Sequence, residues 1–408
     1  MRKLILLLSL VTPLFAQHPE DATPDRPPSI VYDQTMHPFD TTRADPNNWS
    51  DTELAALGTA VHDASRECER LEKTAYEGEE LFSLARLCGV GLNWPGAYSA
   101  SVRYVRVEDG KPAPAHVAQG YYLLVQSLLN LQRLSDVIAT LDEISKKLPL
   151  NAQTAAVFDL AIDGLSVPRL DFALKAAATY QPLLLECIHN PCDGLSATQA
   201  QVRAYTNLSL LRNAQKIPDA NTGLAMLDAI IAEHKSVPSP AETYVADMAR
   251  QRYLALEKPF PKATLLPRPK GNTGNTIYTA PAANANLYLF VPETCGGCKA
   301  LLQQAGVISK GLNDRASVRI ALLHSEIPAD PAALQPLSSF SAALVPEEFV
   351  RGLGITDTPA IVVTDKQDQV RFISSVDTNW FIANGRALLV LDRVVGDQET
   401  KEEKPPAK

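Results

Sequence analysis

The sequence predicts a multidomain protein: an all-α helical-repeat domain over 50–256, then an α/β domain over 283–395. Three observations predict it. From Ser50 to about Leu256, apolar residues recur at three- and four-residue spacing without clean alternation, the period of helices rather than strands. From 283 onward, short apolar runs such as Leu287-Tyr288-Leu289-Phe290-Val291 are interleaved with helical segments, the order of a sheet with crossover helices. Between the two, Pro259, Pro261, Pro267, Pro269, Gly271 and Gly274 break both periods and mark a linker over 257–282. A proline-rich spacer of this kind holds domains apart and lets their orientation vary.

The ends of the chain bear on location. Arg2 and Lys3 precede an apolar stretch from Leu4 to Phe15, with Ala16-Gln17 as a cleavage point, the layout of a signal peptide over 1–16. No Cys follows that point, which argues against a bacterial lipid anchor, and no other run approaches the roughly 18 apolar residues of a membrane span. The expectation is an exported protein, periplasmic or extracellular, with no membrane anchor after cleavage. The segment 17–49 carries Pro19, Pro24, Pro27, Pro28, Pro38 and Pro46 without a sustained period, and reads as a disordered lead-in. The charged tail over 396–408 reads as disordered too. A net charge of −8 with no basic block beyond the leader argues against nucleic acid and anionic membranes as partners. With 46% hydrophobic residues among 408, the chain can bury more than one core.

Ser50-Asp51-Thr52-Glu53 reads as a helix start that opens the helical region. Within the region Tyr121, Leu124, Leu128, Val137, Leu141, Ile144 and Pro149 fall at the large, small and proline offsets of a tetratricopeptide repeat. Leu81, Leu84, Cys88 and Ala97 match in part, as do Val157, Leu160, Ala161, Ala173 and Tyr180. A hairpin from Ala200 to His234 keeps the helical period and loses the pattern. The region resembles a degenerate tetratricopeptide-type (TPR-like) array of four or five hairpins, with a generic helical bundle as the alternative. Stacked hairpins leave a concave surface that commonly holds a peptide or protein, so a protein partner is expected there. His62, His116, His189 and His234 are scattered without ligand spacing, and Trp94 and Tyr98 read as packing residues.

Six cysteines in an exported chain read as three pairs. Cys68 and Cys88 lie symmetrically about Gly78, so a helix hairpin turning there brings the sulfurs together as a structural disulfide. Cys187 and Cys192 bracket Ile-His-Asn-Pro, a loop that a second disulfide can close, with two buried thiols as the alternative. The third pair, Cys295-Gly296-Gly297-Cys298, is of another kind. It follows an apolar strand and precedes a helical segment, which puts the first sulfur at a helix N-terminus, where unpaired N–H groups and the dipole favour thiolate.

This Cys-x-x-Cys, followed by Lys299, and the later Gly354-Ile355 and Thr358-Pro359-Ala360 resemble the active-site and proline-loop motifs of the thioredoxin superfamily. The order of elements over 283–395 fits. Strand 287–291, helix 298–310 and strand 318–323 are followed by a helical insertion through Glu348 and Leu353, then strand 360–364, a turn at 365–368, strand 369–374 and a helix over 379–394. The resemblance implies that Cys295 and Cys298 are the catalytic pair. It also implies that Pro359 is cis beside them, and that Gly296, Gly297 and Thr358 meet an extended substrate segment. Thr-Pro-Ala is closer to the Dsb-type bacterial isomerases and oxidases than to thioredoxin itself. Two departures matter: Thr294 stands where thioredoxins carry Trp, and Leu289 where they carry a buried acid that moves a proton for the second thiol.

The expected activity is thiol–disulfide exchange on proteins bearing thiols or disulfides, without a cofactor and without a metal. Two alternatives stand: an exported protein-binding scaffold whose Cys295–Cys298 bond is structural, and a Cu(I) site formed by the two thiols. Zinc would need four ligands, and in that domain His324 alone could add one.

Overall fold

The computed structural model describes residues 26–42, 50–106, 112–166, 168–213, 225, 227–229, 231–232, 239–261, 264–265, 285–292, 317–323, 341–345, 347–356, 360–374, 387, 390 and 394. They fall into two compact units, one up to Ala113 and one from Pro114 onward.

Among the described residues the first unit has four helices. α1 (Pro28–Thr42), α2 (Asp51–Leu71), α3 (Glu79–Val90) and α4 (Trp94–Arg106) pack as the pairs α1–α2, α1–α3, α2–α3 and α3–α4. α2 begins with a complete capping box, Ser50 and Glu53 each satisfying the other's backbone N–H. α1 corrects the expectation of disorder for Pro28–Thr42, while 17–25 and 43–49 lie outside the described residues. Pro28 opens it, where no intrahelical N–H is required, whereas Pro38 lies inside the helix. Burial of Val31 and Phe39 then holds it down, with Ser29 bonded through its N–H and hydroxyl to Glu80 and the Arg86 guanidinium 3.9 Å over the Tyr32 ring.

In the second unit, α5 (Val117–Asn130), α6 (Leu134–Lys147), α7 (Ala152–Ser166), α8 (Leu170–His189), α9 (Ala197–Asn213) and α10 (Pro240–Ala255) are the longer helices among the described residues. α5 packs on α6 and α7, α6 on α8, α7 on α8, α8 on α9, and α9 on α10. Tyr121, Leu124, Leu128, Val137, Leu141 and Ile144 are buried, as are Val157, Ala161, Ala173 and Tyr180, while Leu160 is half-buried and Pro149 exposed. Phe158 stacks on Tyr180 at 4.7 Å between α7 and α8.

A six-stranded mixed sheet follows, in the order β1-β4-β3-β2-β5-β6. Its strands are β1 (Thr264–Leu265), β2 (Ala285–Pro292), β3 (Ser317–Leu323), β4 (Ser341–Val345), β5 (Ala360–Asp365) and β6 (Val370–Ile373). β2–β3 and β3–β4 are parallel; β2–β5, β5–β6 and β1–β4 are antiparallel. Each parallel pair requires a long crossover and the β5–β6 pair a tight turn; the element order read from the sequence implies the β2–β3 crossover and the β5–β6 turn. The described stretches of β2 and β5 are buried throughout, which accounts for their near-continuous apolar runs.

Two expectations are corrected here. Residues 341–345 are a strand inside the predicted helical insertion, and among the described residues of that insertion α11 (Glu347–Gly352) is helical. The predicted linker opens with residues built into the sheet. The Glu257 N–H donates to Val370 O, Val370 N–H to Lys258 O and Phe260 N–H to Asp368 O, and Thr264-Leu265 pairs with Leu344 and Ala343. The prolines that break helical periodicity are compatible with such edge positions, where a missing N–H costs no ladder bond. One face of the sheet shares a core with the end of α10. Ala255, Leu256 and Phe260 pack there with Tyr288, Phe290, Phe349, Val350, Leu353, Ile355, Ala360, Val362, Val370 and Ile373. The sheet is therefore bonded to the helix before it rather than tethered at a distance.

Candidate functional site

The candidate site is defined by where two segments leave the sheet. β2 is central, flanked by parallel β3 and antiparallel β5. In the β2–β5 register Phe290, near the C-terminal end of β2, is opposite Ala360, the first residue of β5. The chain beyond Pro292 and the chain just before Ala360 therefore meet the sheet at the same edge. Cys295, Gly296, Gly297, Cys298, Thr358 and Pro359 lie outside the described residues.

The described framework around that edge is apolar. Leu289 is 2% exposed, with Ile361 opposite it on β5. No carboxyl is supplied from this strand position. The segment after α11 turns at Gly354, whose φ is +67°, in the region glycine adopts without steric cost. Ile355 is buried and its N–H donates to Val350 O at 3.2 Å.

The other cysteines are bonded to each other. Cys68 of α2 and Cys88 of α3 form a disulfide with Cα atoms 5.0 Å apart, and both residues are 0% exposed. The chain reverses between them through Gly78, at φ +55°. Gly96 of α4 lies over the bond, so close that an added Cβ would stand 2.8 Å from Cys68 Sγ and 3.1 Å from Cys88 Sγ. Cys187, buried near the end of α8, is bonded to half-buried Cys192, Cα atoms 5.2 Å apart, closing the turn toward α9. Neither has the strand-to-helix setting that activates a thiolate.

Several polar links that carry no sequence motif join the helices to one another and, through Glu257, to the sheet. Asp228 accepts from Tyr205 of α9 at 3.0 Å and from Arg250 of α10 at 2.8 Å. The Arg250 bonds hold the Asp228 carboxyl below the usual range, and burial together with the Asp228 carboxylate raises the Tyr205 phenol well above its ordinary value. Arg212 of α9 donates to Tyr253 O and to Glu257 at 3.0 and 2.9 Å, and Glu257 also faces Arg371 of β6. Isolated Arg and Asp residues on helices read as solvated faces, so no sequence pattern marks this bracing.

His62 is exposed on α2, His116 caps α5 without a side-chain cap bond, and His189 ends α8 exposed. His234 and His324 lie outside the described residues. Among the described residues no group of three or more His, Cys, Asp or Glu is gathered as a metal site, and no helix is long and apolar enough to cross a membrane.

No protein-family model and no curated protein matches the chain. Among solved structures, a thioredoxin-like protein from Bacteroides caccae ATCC 43185 is similar at 9% sequence identity, over 79% of this chain and 94% of that one, with a TM-score of 0.30.

Proposed function

We propose that the chain is an exported thiol–disulfide oxidoreductase with a thioredoxin-like C-terminal domain, Cys295 and Cys298 as its redox pair, and a TPR-like helical region that docks a protein partner. The β2–β5 register carries the reading. Cys295 follows Phe290 by five residues and Pro359 directly precedes Ala360, so both motifs are attached at one sheet edge, within the reach of a few residues of chain. The parallel β2–β3 pair supports it further, because the chain between them must cross over, usually as a helix.

In the reaction, the Cys295 thiolate attacks one sulfur of a partner disulfide. A new S–S bond forms, the partner's bond breaks, and its leaving thiolate takes up a proton. Deprotonated Cys298 then attacks the Cys295 sulfur and releases the second partner thiol. Two electrons pass to the partner and the pair is left oxidised; the reverse sequence donates a disulfide. With Leu289 where an acid would serve the second thiol, the proton of Cys298 is taken by solvent or by a group outside β2, which favours a slow resolving step. Gly296, Gly297 and Thr358 would offer backbone groups to the substrate segment.

The wholly buried Cys68–Cys88 bond supports maturation in an oxidising compartment, in keeping with the leader over 1–16. Packing of α5 on α7 and α6 on α8 supports a stacked-hairpin array. The test is the reduction potential of Cys295/Cys298 in the mature protein, from glutathione or dithiothreitol buffers with thiol alkylation and mass spectrometry. A reversible couple between about −120 and −270 mV is expected. A pair still oxidised well below about −300 mV would leave a binding scaffold with a structural bond.

A further inference from the structure

The two disulfides among the described residues differ in reach. Cys68 and Cys88 are both 0% exposed. In the other bond Cys187 is 0% exposed, whereas Cys192 is half-buried, and His189, Asn190, Pro191, Asp193 and Gly194 around it are exposed. The Cys187–Cys192 bond spans a sequence separation of 5 against 20 for Cys68–Cys88, so it restrains less chain entropy and costs less to open.

The turn it closes is a junction of three helices. Asp193 O accepts the N–H of Ala152, the first residue of α7, at 3.1 Å, one of the donors that a helix start leaves unpaired. Gly194, at φ +63°, lies so near that an added Cβ would stand 3.3 Å from Ala152 Cβ. Leu195, 2% exposed, pairs with Cys192 as an antiparallel bridge. Ser196 and Gln199 then form the box that opens α9, each N–H bonded to the other's side chain at 3.0 and 3.1 Å. Cys187 anchors the same turn to the end of α8.

We propose that Cys192 is a modification site, whose sulfur is attacked by a low-molecular-weight thiol to give a mixed disulfide that frees the turn. The thiolate of the small molecule forms a bond to Cys192 Sγ, the Cys187–Cys192 bond breaks, and its electron pair leaves on Cys187, which takes up the proton that the small thiol gave up. Attack enters at Cys192 because access decides which sulfur is struck, and Cys187 presents none. Expulsion of Cys187 and its return both pass through an anionic sulfur at a wholly buried position, where charge is costly. The step is therefore slow, and the adduct persists once formed. With the bond open, the hold of Asp193 on the start of α7 is released. This chemistry needs no activated thiolate in the protein and does not depend on the reading of Cys295 and Cys298.

The test uses the full mature chain under native conditions, with dithiothreitol and, separately, glutathione as the thiols. Acid quenching, alkylation in denaturant and peptide mass spectrometry score each cysteine pair by itself. Cys187/Cys192 is expected to open about tenfold or more ahead of Cys68/Cys88, with a glutathione adduct on Cys192 and none on Cys187. Amide exchange is expected to quicken about threefold or more over 150–157 and 190–200 once the bond is open, with 117–130 unchanged. Cys187→Ser and Cys192→Ser give a second reading: the thiol left at 192 should react with glutathione disulfide about tenfold faster than the thiol left at 187. Both pairs opening together, only as the whole chain unfolds, overturns the site. So does an adduct on Cys187, or equal reactivity of the two remaining thiols. Unchanged protection over 150–157 and 190–200 with the bond open overturns the release of the turn. An inert Cys295/Cys298 beside a labile Cys187/Cys192 upholds this site and overturns the redox pair instead.

Discussion

Phe260 lies face to face with Tyr288, ring centroids 4.0 Å apart and planes 14° from parallel, with Phe349 edge-on to it at 5.3 Å. A residue flanked by Pro259 and Pro261 thus fills the core between β2 and α11. Phe260→Ala is expected to cost about 3–5 kcal/mol, read as a lower urea midpoint at unchanged slope. A loss below about 1 kcal/mol would mean that the ring contributes little beyond an exposed linker residue.

Gly96→Ala sets two effects against each other. Alanine in place of glycine inside a helix gains up to about 1 kcal/mol. Here the new methyl meets two disulfide sulfurs and Glu72 Oε2 at 2.8 to 3.1 Å, and overpacking against a rigid neighbour costs about 1–3 kcal/mol. The net change is expected to be destabilising, measured by chemical denaturation of the oxidised protein.

Tyr104, Tyr180 and Tyr205 all have phenol groups raised above the ordinary value of 10.0, burial being the first cause in each. Raised folded-state values mean that their contribution is complete below pH ~10 and is lost as pH rises through the folded values. Absorbance titration at alkaline pH should therefore show these phenols ionising late and together with unfolding. Smooth ionisation of every tyrosine near pH ~10 with the fold intact would contradict it.

Asp228 gives the opposite sign. Its carboxyl is depressed by the Arg250 bonds, so its contribution is present above the ordinary carboxylate value and lost as pH falls through the depressed one. The pair is more than a third exposed on both sides, so solvent screening limits the effect to about 1 kcal/mol. Asp228→Asn should lower stability by that amount at neutral pH, with the two denaturation curves converging toward about pH 3.

The strands of the sheet were legible where burial on both faces leaves an unbroken apolar run. β2 extends the run at 287–291 only to Ala285 and Pro292, and β5 extends 360–364 by one residue. β4 was not, because Ser341-Ala342-Ala343-Leu344-Val345 is rich in small residues that suit a helix as well. Prolines misled in both directions. Pro28 and Pro38 concealed α1, and Pro259 and Pro261 concealed the pairing of 257–260, since a proline reports a missing donor and not the absence of structure. Gly354 stood out in the sequence beside Ile355, but its contact with α10 is a meeting of residues about a hundred positions apart, which no local pattern encodes.

The burial of Cys68 and Cys88 sets an order of events in the protein's own maturation. With both sulfurs out of reach of solvent and roofed by Gly96, no oxidant can touch them once α4 has docked. The bond must close while this part of the chain is still open, so a molecule that folds before meeting an oxidant would carry two sealed thiols. The Cys68–Cys88 bond therefore belongs to the folding of this unit rather than to any exchange at its surface.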